Sequence, residues 1–408
     1  MTAVESSIIK EKLAPEWDKL PQIVRGFAER APDYDRSGSF AYENYEVLHR
    51  HGFLALPIGR EHGGFGGGLR DHIHLLDQVA QADASTALVV SMYFNLHGAQ
   101  ARSKSWPTSL YTKVARESLE RLSLINSLNY EPELGSPVRG SGVLNTVARR
   151  VPGGWRVSGH KRYATGSVGL RWFTVAASNE ENIRGSYFIT ADSPGISIIE
   201  NWDYVGLRGT ASHDLILDNV FVPEDCLVGQ FDNRKSGGDA VVVKGLSIVT
   251  WNAIYLGIAK AARNFLVTYL QERSPGSLGY PLSKLEHVRD KVGQIETLIR
   301  VAERLNLSIV DDFENGAERE LDVDAGISKV IVRNHAKKAV ELAAGTMGNA
   351  GLSREYPLER YFRDVQFGPN HPPGSDVVRK LAADASFLNA GSSLSEFSIH
   401  PALRAESA

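Results

Sequence analysis

The string Asn370-His371-Pro372-Pro373-Gly374 puts an imidazole at the mouth of a turn. Consecutive prolines fix φ and remove backbone donors, so the chain there is extended rather than helical. Imidazole titrates near neutral pH and can donate or accept a proton, which makes His371 a candidate acid or base. The plainer reading is a histidine that bonds loop backbone groups. Tyr93 and His97 lie four residues apart in a helical stretch and share a face, although a helix histidine is more often a core residue. Trp251 and Tyr255 have the same spacing in a later apolar helix, where they line a pocket or simply pack. His51, His62, His72, His74 and His160 lack metal-ligand spacing; His72 and His74, two apart, diverge on a helix. No Gly-x-Gly-x-x-Gly element follows a strand, so NAD(P)H is not expected to bind, and no hydrolytic motif is visible.

These residues sit in a chain of 408, long enough for two or three packed units. A net charge of −3 without a basic stripe argues against nucleic acid as a partner. A single cysteine, Cys226, excludes a disulfide framework and suits the cytoplasm. The opening MTAVESSIIKEKL carries acids and lacks the apolar core of a signal peptide. No window approaches the ~18 apolar residues of a membrane span.

Three regions must position the candidate residues. Residues 1–125 read as helical: Leu20, Val24 and Phe27 carry an amphipathic period through Pro15–Arg30, Tyr42 to Phe53 repeats it, and helix resumes from Asp71 to about Ala101. Between them "PIGREHGGFGGGLRD" reads as a hinge or tight corner. Residues 126–235 read as a β-domain, with a hairpin at Pro152-Gly153-Gly154 and period-two runs such as "RWFTVAAS" and "HDLILDNVFVP". Residues 236–408 return to longer helices. Ile254, Ile258, Ala261, Phe265 and Tyr269 form one stripe, and Val288, Val292, Ile295, Ile299 and Ala302 a second. Val332, Ala336, Ala339 and Ala343 form a third, and together they predict a helical bundle.

Five strings in this order resemble the acyl-CoA dehydrogenase superfamily of flavoproteins over roughly residues 10–390. They are "LHRHGFLALPIGREHGGFGGG", "NYEPELGSP", "GHKRYATGS", "GLRGTASHDLILDNVFVPED" and "GTMGNAGLSREYPLERYFRD". The resemblance implies an α+β fold: an N-terminal helical domain, a middle β-barrel domain and a C-terminal four-helix bundle, usually in a homotetramer. Flavin would lie between β-domain and bundle, with a neighbouring subunit completing the site. The second and third strings imply cofactor contacts from Tyr130, Gly135, Ser136, Tyr163, Thr165, Gly166 and Ser167. Thr165 would be catalytic as well, its hydroxyl near flavin N5 and O4, and Asn129 would bond substrate or peroxide; both also suit ordinary turn roles.

The departures from the family pattern bear on chemistry. Most of these dehydrogenases place a base glutamate nine residues after the Arg of an Arg-Asp pair, which counting from Arg363 is Pro372. A subset places it on the first bundle helix, near Ser247 here, but no acid occurs from Val241 through Gln271. Asp376 reads as a helix N-terminal acid favoured by the dipole. The chain is closer to the two-component flavin monooxygenases of the superfamily. Several carry a His-x-Pro turn with the histidine eight residues after that Arg, which is His371 here. Relatives in that branch pair a histidine with an aromatic hydroxyl where Tyr93 and His97 stand, which implies catalysis by His97 and substrate contact by Tyr93; Trp251 and Tyr255 are substrate-binding candidates too. The family's Arg-x-Gln-Phe-Gly pyrophosphate segment is reduced to Arg273-Ser274-Pro275. One guanidinium suits one terminal phosphate, which favours FMN, with FAD possible. The expected activity is oxidation of a small organic substrate with O2 through a C4a-(hydro)peroxyflavin, reduced flavin coming from a separate reductase. The alternatives are an acyl-CoA dehydrogenase or other FAD-dependent oxidoreductase with an unrecognised base, and a degenerate, non-catalytic family member.

Overall fold

The computed structural model describes residues 14–134, 144–232, 245–316 and 321–393. In the first region α1 (Leu20–Ser37) buries Leu20, Ile23, Phe27 and Ala31 along one stripe. It starts five residues later and ends seven later than the periodicity placed it, Gly38 closing it in the left-handed region (φ 68). After α2 (Tyr42–Arg50) the chain makes the glycine corner. There Gly66 and Gly67 donate to the carbonyls of Ile58 and Leu56 at 2.8 Å. A Cβ on Gly64 would stand 2.2 Å from the Ile58 carbonyl oxygen. The glycines therefore permit backbone to fold onto backbone, as a tight corner requires.

One helix was expected from Asp71 to Ala101, and two are present: α3 (Leu69–Ala82) and α4 (Ala84–Ser103). Asp83 breaks the run, its carboxylate accepting from the amides of Ser85 and Thr86 and from the Thr86 hydroxyl at 2.6 Å. It is the N-cap of α4, and its extended backbone cannot continue α3. The last helix of the region is α5 (Thr108–Glu120).

Among the described residues eight strands follow: β1 (Leu124–Leu128), β2 (Val147–Val151), β3 (Gly154–Ala164), β4 (Leu170–Asn179), β5 (Ile183–Thr190), β6 (Ile196–Ile199), β7 (His213–Pro223) and β8 (Leu227–Asp232). They form one sheet in the order β6-β7-β3-β2-β4-β5-β8, with β1 parallel to β4. The expected hairpin joins β2 to β3, Val151 opposite Gly154 and Gly153 at φ 79.

The C-terminal helices are α6 (Gly245–Glu272), α7 (Glu286–Glu314), α8 (Leu321–Met347), α9 (Leu358–Val365), the short turn α10 (Phe367–Asn370) and α11 (Ser375–Ser393). The three apolar stripes read from the sequence are the packed faces of α6, α7 and α8. α6 is buried nearly all round because α3 and α4 cover the side that faces away from α7 and α8. The architecture runs in the expected order: helical domain, sheet domain, helical domain. No helix among the described residues is long and apolar enough to cross a membrane.

Candidate functional site

The turn from Phe367 to Gly374 rests on α6 and α8. α10 ends at Asn370 and His371 leaves it in extended backbone (φ −60, ψ 141). Its Nδ1 lies 2.8 Å from the hydroxyl of Tyr255 on α6, and its ring is 5.5 Å from that of Trp251. From α8, Lys329 donates to the Pro369 carbonyl at 2.7 Å, and Arg333 reaches the carbonyls of Gly368 and His371 at 3.4 and 3.5 Å. The Arg333 guanidinium stands 5.7 and 5.8 Å from the Trp251 and Tyr255 ring centres, within cation–π range. Its Nε donates to Asn252, which continues through Asn306 and Ser328 into the bundle core. Trp251 and Tyr255 were expected beside His371; Lys329 and Arg333 were not.

The electrostatics of this cluster follow from burial. His371 keeps part of its surface open, but its ring has lost most of its water and faces the Arg333 and Lys329 cations. Burial first, then those charges, draw its pKa down to about 3. It is therefore a neutral imidazole at pH 7, not one poised at neutrality. Burial also lowers Lys329 to about 8, with Arg333 adding to the effect and Asp376, in the first turn of α11, opposing it. The charges that shift His371 are all positive, and no carboxylate contributes.

The strand end beside this turn carries rings. Tyr163 holds a left-handed backbone (φ 59) and is 42% exposed. Its ring meets those of Tyr130, Trp202 and Tyr204, and Phe367 of the His371 turn packs on the latter two. Such a conformation costs a non-glycine residue of order 1–3 kcal/mol and is retained where it positions something. A half-open aromatic wall at a strained strand end fits a flat ring system such as a flavin. Thr165 lies just behind: its hydroxyl pairs with Ser212 at 2.9 Å, and its carbonyl accepts from Asn126. Gly166 (φ 82) donates to the Thr210 carbonyl at 2.8 Å and the Ser167 hydroxyl to that of Ala211. The Thr165 and Ser167 hydroxyls are both turned to partners within the protein.

Under the wall lies a buried ion pair that sequence reasoning passed over. Glu131 accepts from Lys161 and from the Thr146 hydroxyl, each at 2.6 Å, and from the amides of Asn145 and Thr146. Burial would raise the Glu131 carboxyl, but Lys161 and these donors hold it below its usual range; burial lowers Lys161 to about 8. The pair ties the segment containing Asn129 and Tyr130 to β3. Asn129 itself accepts from Arg184 and donates to Ser127.

The other candidates lie apart. Tyr93 donates to the Leu54 carbonyl at 2.9 Å, and His97 Nδ1 is 3.2 Å from the Tyr111 hydroxyl of α5. Both point away from the α4 face that meets α6, where Ser91 bonds Trp251 and Asn95 bonds Thr250. His97 is fully buried, and loss of water lowers it to about 3. Arg273, just beyond α6, is exposed, and its guanidinium has no side-chain partner among the described residues. Gly135 and Ser136 lie outside the described residues. Among the described residues no group of His, Cys, Asp or Glu is placed to hold a metal.

Comparison with known proteins is consistent with this geometry. The family description "Acyl-CoA dehydrogenase, N-terminal domain" matches residues 16–102, and "Acyl-CoA dehydrogenase, C-terminal domain" matches 248–371, ending at His371. "Putative acyl-CoA dehydrogenase YdbM" of Bacillus subtilis is 33% identical over 93% of this chain and 99% of its own. The L-evernosamine nitrososynthase of a Micromonospora species is 28% identical over 91% and 90%. The structure of TdsC from a Paenibacillus species, solved with FMN and indole, superposes with a TM-score of 0.80 over 89% of this chain and 94% of that one. At 19% identity it shows the fold alone.

Proposed function

The chain belongs to the acyl-CoA dehydrogenase family of flavin-dependent oxidoreductases, and from that premise we propose that it is a reduced-flavin-dependent monooxygenase acting on a small organic substrate. One observation carries the reading. The turn that would present a base carboxylate presents His371 instead, and the charged neighbours that shift it are cations. Removal of an α-proton needs a base within hydrogen-bond reach, tuned toward neutral pH. Pro372 cannot serve, and α6 carries no acid before Glu272. Asp364 is the acid drawn nearest to neutrality, burial raising it to about 7, but its Oδ1 is taken by the Leu207 amide at 2.6 Å.

Bound reduced flavin would supply the electrons by which O2 gives one oxygen atom to substrate and the other to water. Around it this chain's residues have separate tasks. Tyr163, Tyr130 and the rings behind them would stack on the cofactor and exclude water, while the Gly166 turn sets its edge. Trp251 would give an apolar contact for substrate. His371, neutral, would donate or accept one hydrogen bond at the reacting atoms. Arg273 supports FMN, since a lone exposed guanidinium suits one terminal phosphate. The reduced flavin would come from a separate reductase, and the enzyme would be a cytoplasmic homotetramer. The exposed Leu381 and Phe387 of α11 and Leu352 support burial against further copies.

The test is anaerobic loading with reduced FMN followed by rapid mixing with oxygenated buffer. The expected result is a delay before oxidised-flavin absorbance and hydrogen peroxide appear, shortened at least tenfold in His371→Ala. Reoxidation as fast as free FMN would overturn the proposal. The similarity to YdbM supports a second reading, an acyl-CoA dehydrogenase. It requires bound oxidised flavin to bleach when an acyl-CoA is added without oxygen.

A further inference from the structure

His371 has two ring nitrogens, and the surrounding residues treat them differently. Nδ1 faces the Tyr255 hydroxyl at 2.8 Å; Nε2 has no protein partner among the described residues. Tyr255 is fully buried, and burial raises its pKa above the ordinary phenol value, so it keeps its proton. The only hydrogen-bond partner of that phenol among the described residues is Nδ1. Were Nδ1 protonated, it would donate to the phenol oxygen and the phenol proton would be left buried without an acceptor, at a cost of about 1–3 kcal/mol. Neutral imidazole carries its proton on one nitrogen, so a phenol that donates to Nδ1 leaves it on Nε2.

The backbone of the turn is held as firmly as the ring. Lys329 and Arg333, one turn apart on α8 and both fully buried, grip the carbonyls of Pro369, Gly368 and His371. The carboxylate that acts on Lys329 is Asp376 of α11, and it opposes the lowering of the Lys329 pKa. Arg333 Nη2 has no hydrogen-bond partner among the described residues. Two buried cations so placed do more than anchor a loop, because they also set the charge that His371 feels.

We propose that Tyr255, Arg333 and Lys329 are positioning residues that hold His371 as the neutral Nε2–H tautomer, so that the ring offers its ligand a hydrogen-bond donor rather than a transferable proton. Its purpose rests on the monooxygenase reading: such a donor can bind an oxygen-bearing group near the flavin without releasing its proton. The charged and titratable groups facing the turn are Tyr255 from α6, Lys329 and Arg333 from α8, and Asp376 from α11, which acts on Lys329. Asp364 from α9 is felt by Tyr255. Besides the Tyr255 hydrogen bond, the two α8 cations act on the imidazole, and both oppose a second proton.

The test reads the ring itself on the flavin-free full chain, so its outcome stands whether or not the monooxygenase reading does. Histidines labelled with 15N are followed by long-range proton–nitrogen NMR, and the His371 signals are identified as those missing in His371→Gln. The expected pattern is an unprotonated Nδ1 and a protonated Nε2, unchanged from about pH 8 to about pH 5. In Tyr255→Phe, which keeps the ring and its packing, the proton should distribute over both nitrogens. In Lys329→Met the proton affinity of His371 should rise about tenfold, one pKa unit. A protonated Nδ1 in the unaltered chain, or the same Nε2–H tautomer in Tyr255→Phe, would overturn the proposal. Should the variants misfold, the tautomer of the unaltered chain still decides it.

Discussion

His72 and His97 show what burial does to a group with ordinary chemistry. Each is sealed in the N-terminal helices with Nε2 unpartnered, and loss of water lowers them to about 4 and about 3. In the unfolded chain both take up a proton near pH 6.5. Between that value and the folded one, the unfolded state binds more protons, so stability falls as pH falls. It is complete above about pH 6.5 and decreases toward about pH 4, by about 1.4 kcal/mol per pH unit for each histidine. Replacing His97 with Leu should remove one such slope while leaving those of His72 and His371, as read from melting temperatures between about pH 7 and pH 5. A slope unchanged in the variant would show that His97 is not the neutral buried group described here. Were His97 part of turnover, the variant would lose activity instead of its pH dependence. The sequence could place Tyr93 and His97 on one helical face but could not say which face. That depends on α5 packing against them, a contact no local spacing announces.

At the scale of elements, the legible features were those written as periodicity or punctuation. The Pro152-Gly153 hairpin and the three bundle stripes belong to this class. The break at Asp83 was hidden because a capping aspartate in "ADAST" looks like one more polar residue of a continuous helix. Lys329 and Arg333 leave no such mark, because a charged residue on a helix ordinarily belongs to its solvated face. Yet they extend the Ala336–Ala339–Ala343 stripe by three- and four-residue steps, and that register was the available signal. Lys161 likewise shares the inward parity of Trp155 and Val157 on β3. Junctions between elements leave even fainter traces. Gly206 is such a case: a Cβ there would stand 2.6 Å from the Arg363 carbonyl in α9. Gly206→Ala should push α9 from the loop preceding β7, stretch the bond from the Leu207 amide to Asp364, and cost about 1–3 kcal/mol. Chemical denaturation measures it, and a change below about 0.5 kcal/mol would mean the junction yields freely.

Across the whole molecule, the three regions meet at one guanidinium. Arg363 of α9 forks onto Asp35 of α1 at 2.6 and 3.0 Å, bonds Glu359 within its own helix, and reaches the Val205 carbonyl in the loop after β6. That loop continues to Leu207, which is tied to Asp364, and through Thr210 and Ala211 to the Gly166 turn. Arg363 thus ties the aromatic wall and the His371 turn to the N-terminal helices, alongside the bond from Arg208 to the Asp35 carbonyl and that from Arg360 to the Ala82 carbonyl, and its fork geometry is one that lysine does not reproduce. Losing it would strand Asp35 and Glu359 where side chains are only 13–15% exposed. Removing one partner of a buried pair costs about 3–5 kcal/mol, and the residual exposure here sets the lower end. Arg363→Met should therefore lower stability by about 3 kcal/mol and separate one calorimetric unfolding transition into two, the N-terminal helices uncoupling from the bundle. Arg363→Lys should fall between. A single transition at an unchanged temperature in both variants would show that the packing and hydrogen bonds of α3 and α4 on α6 suffice to hold the regions together, with Arg363 adding nothing to their coupling.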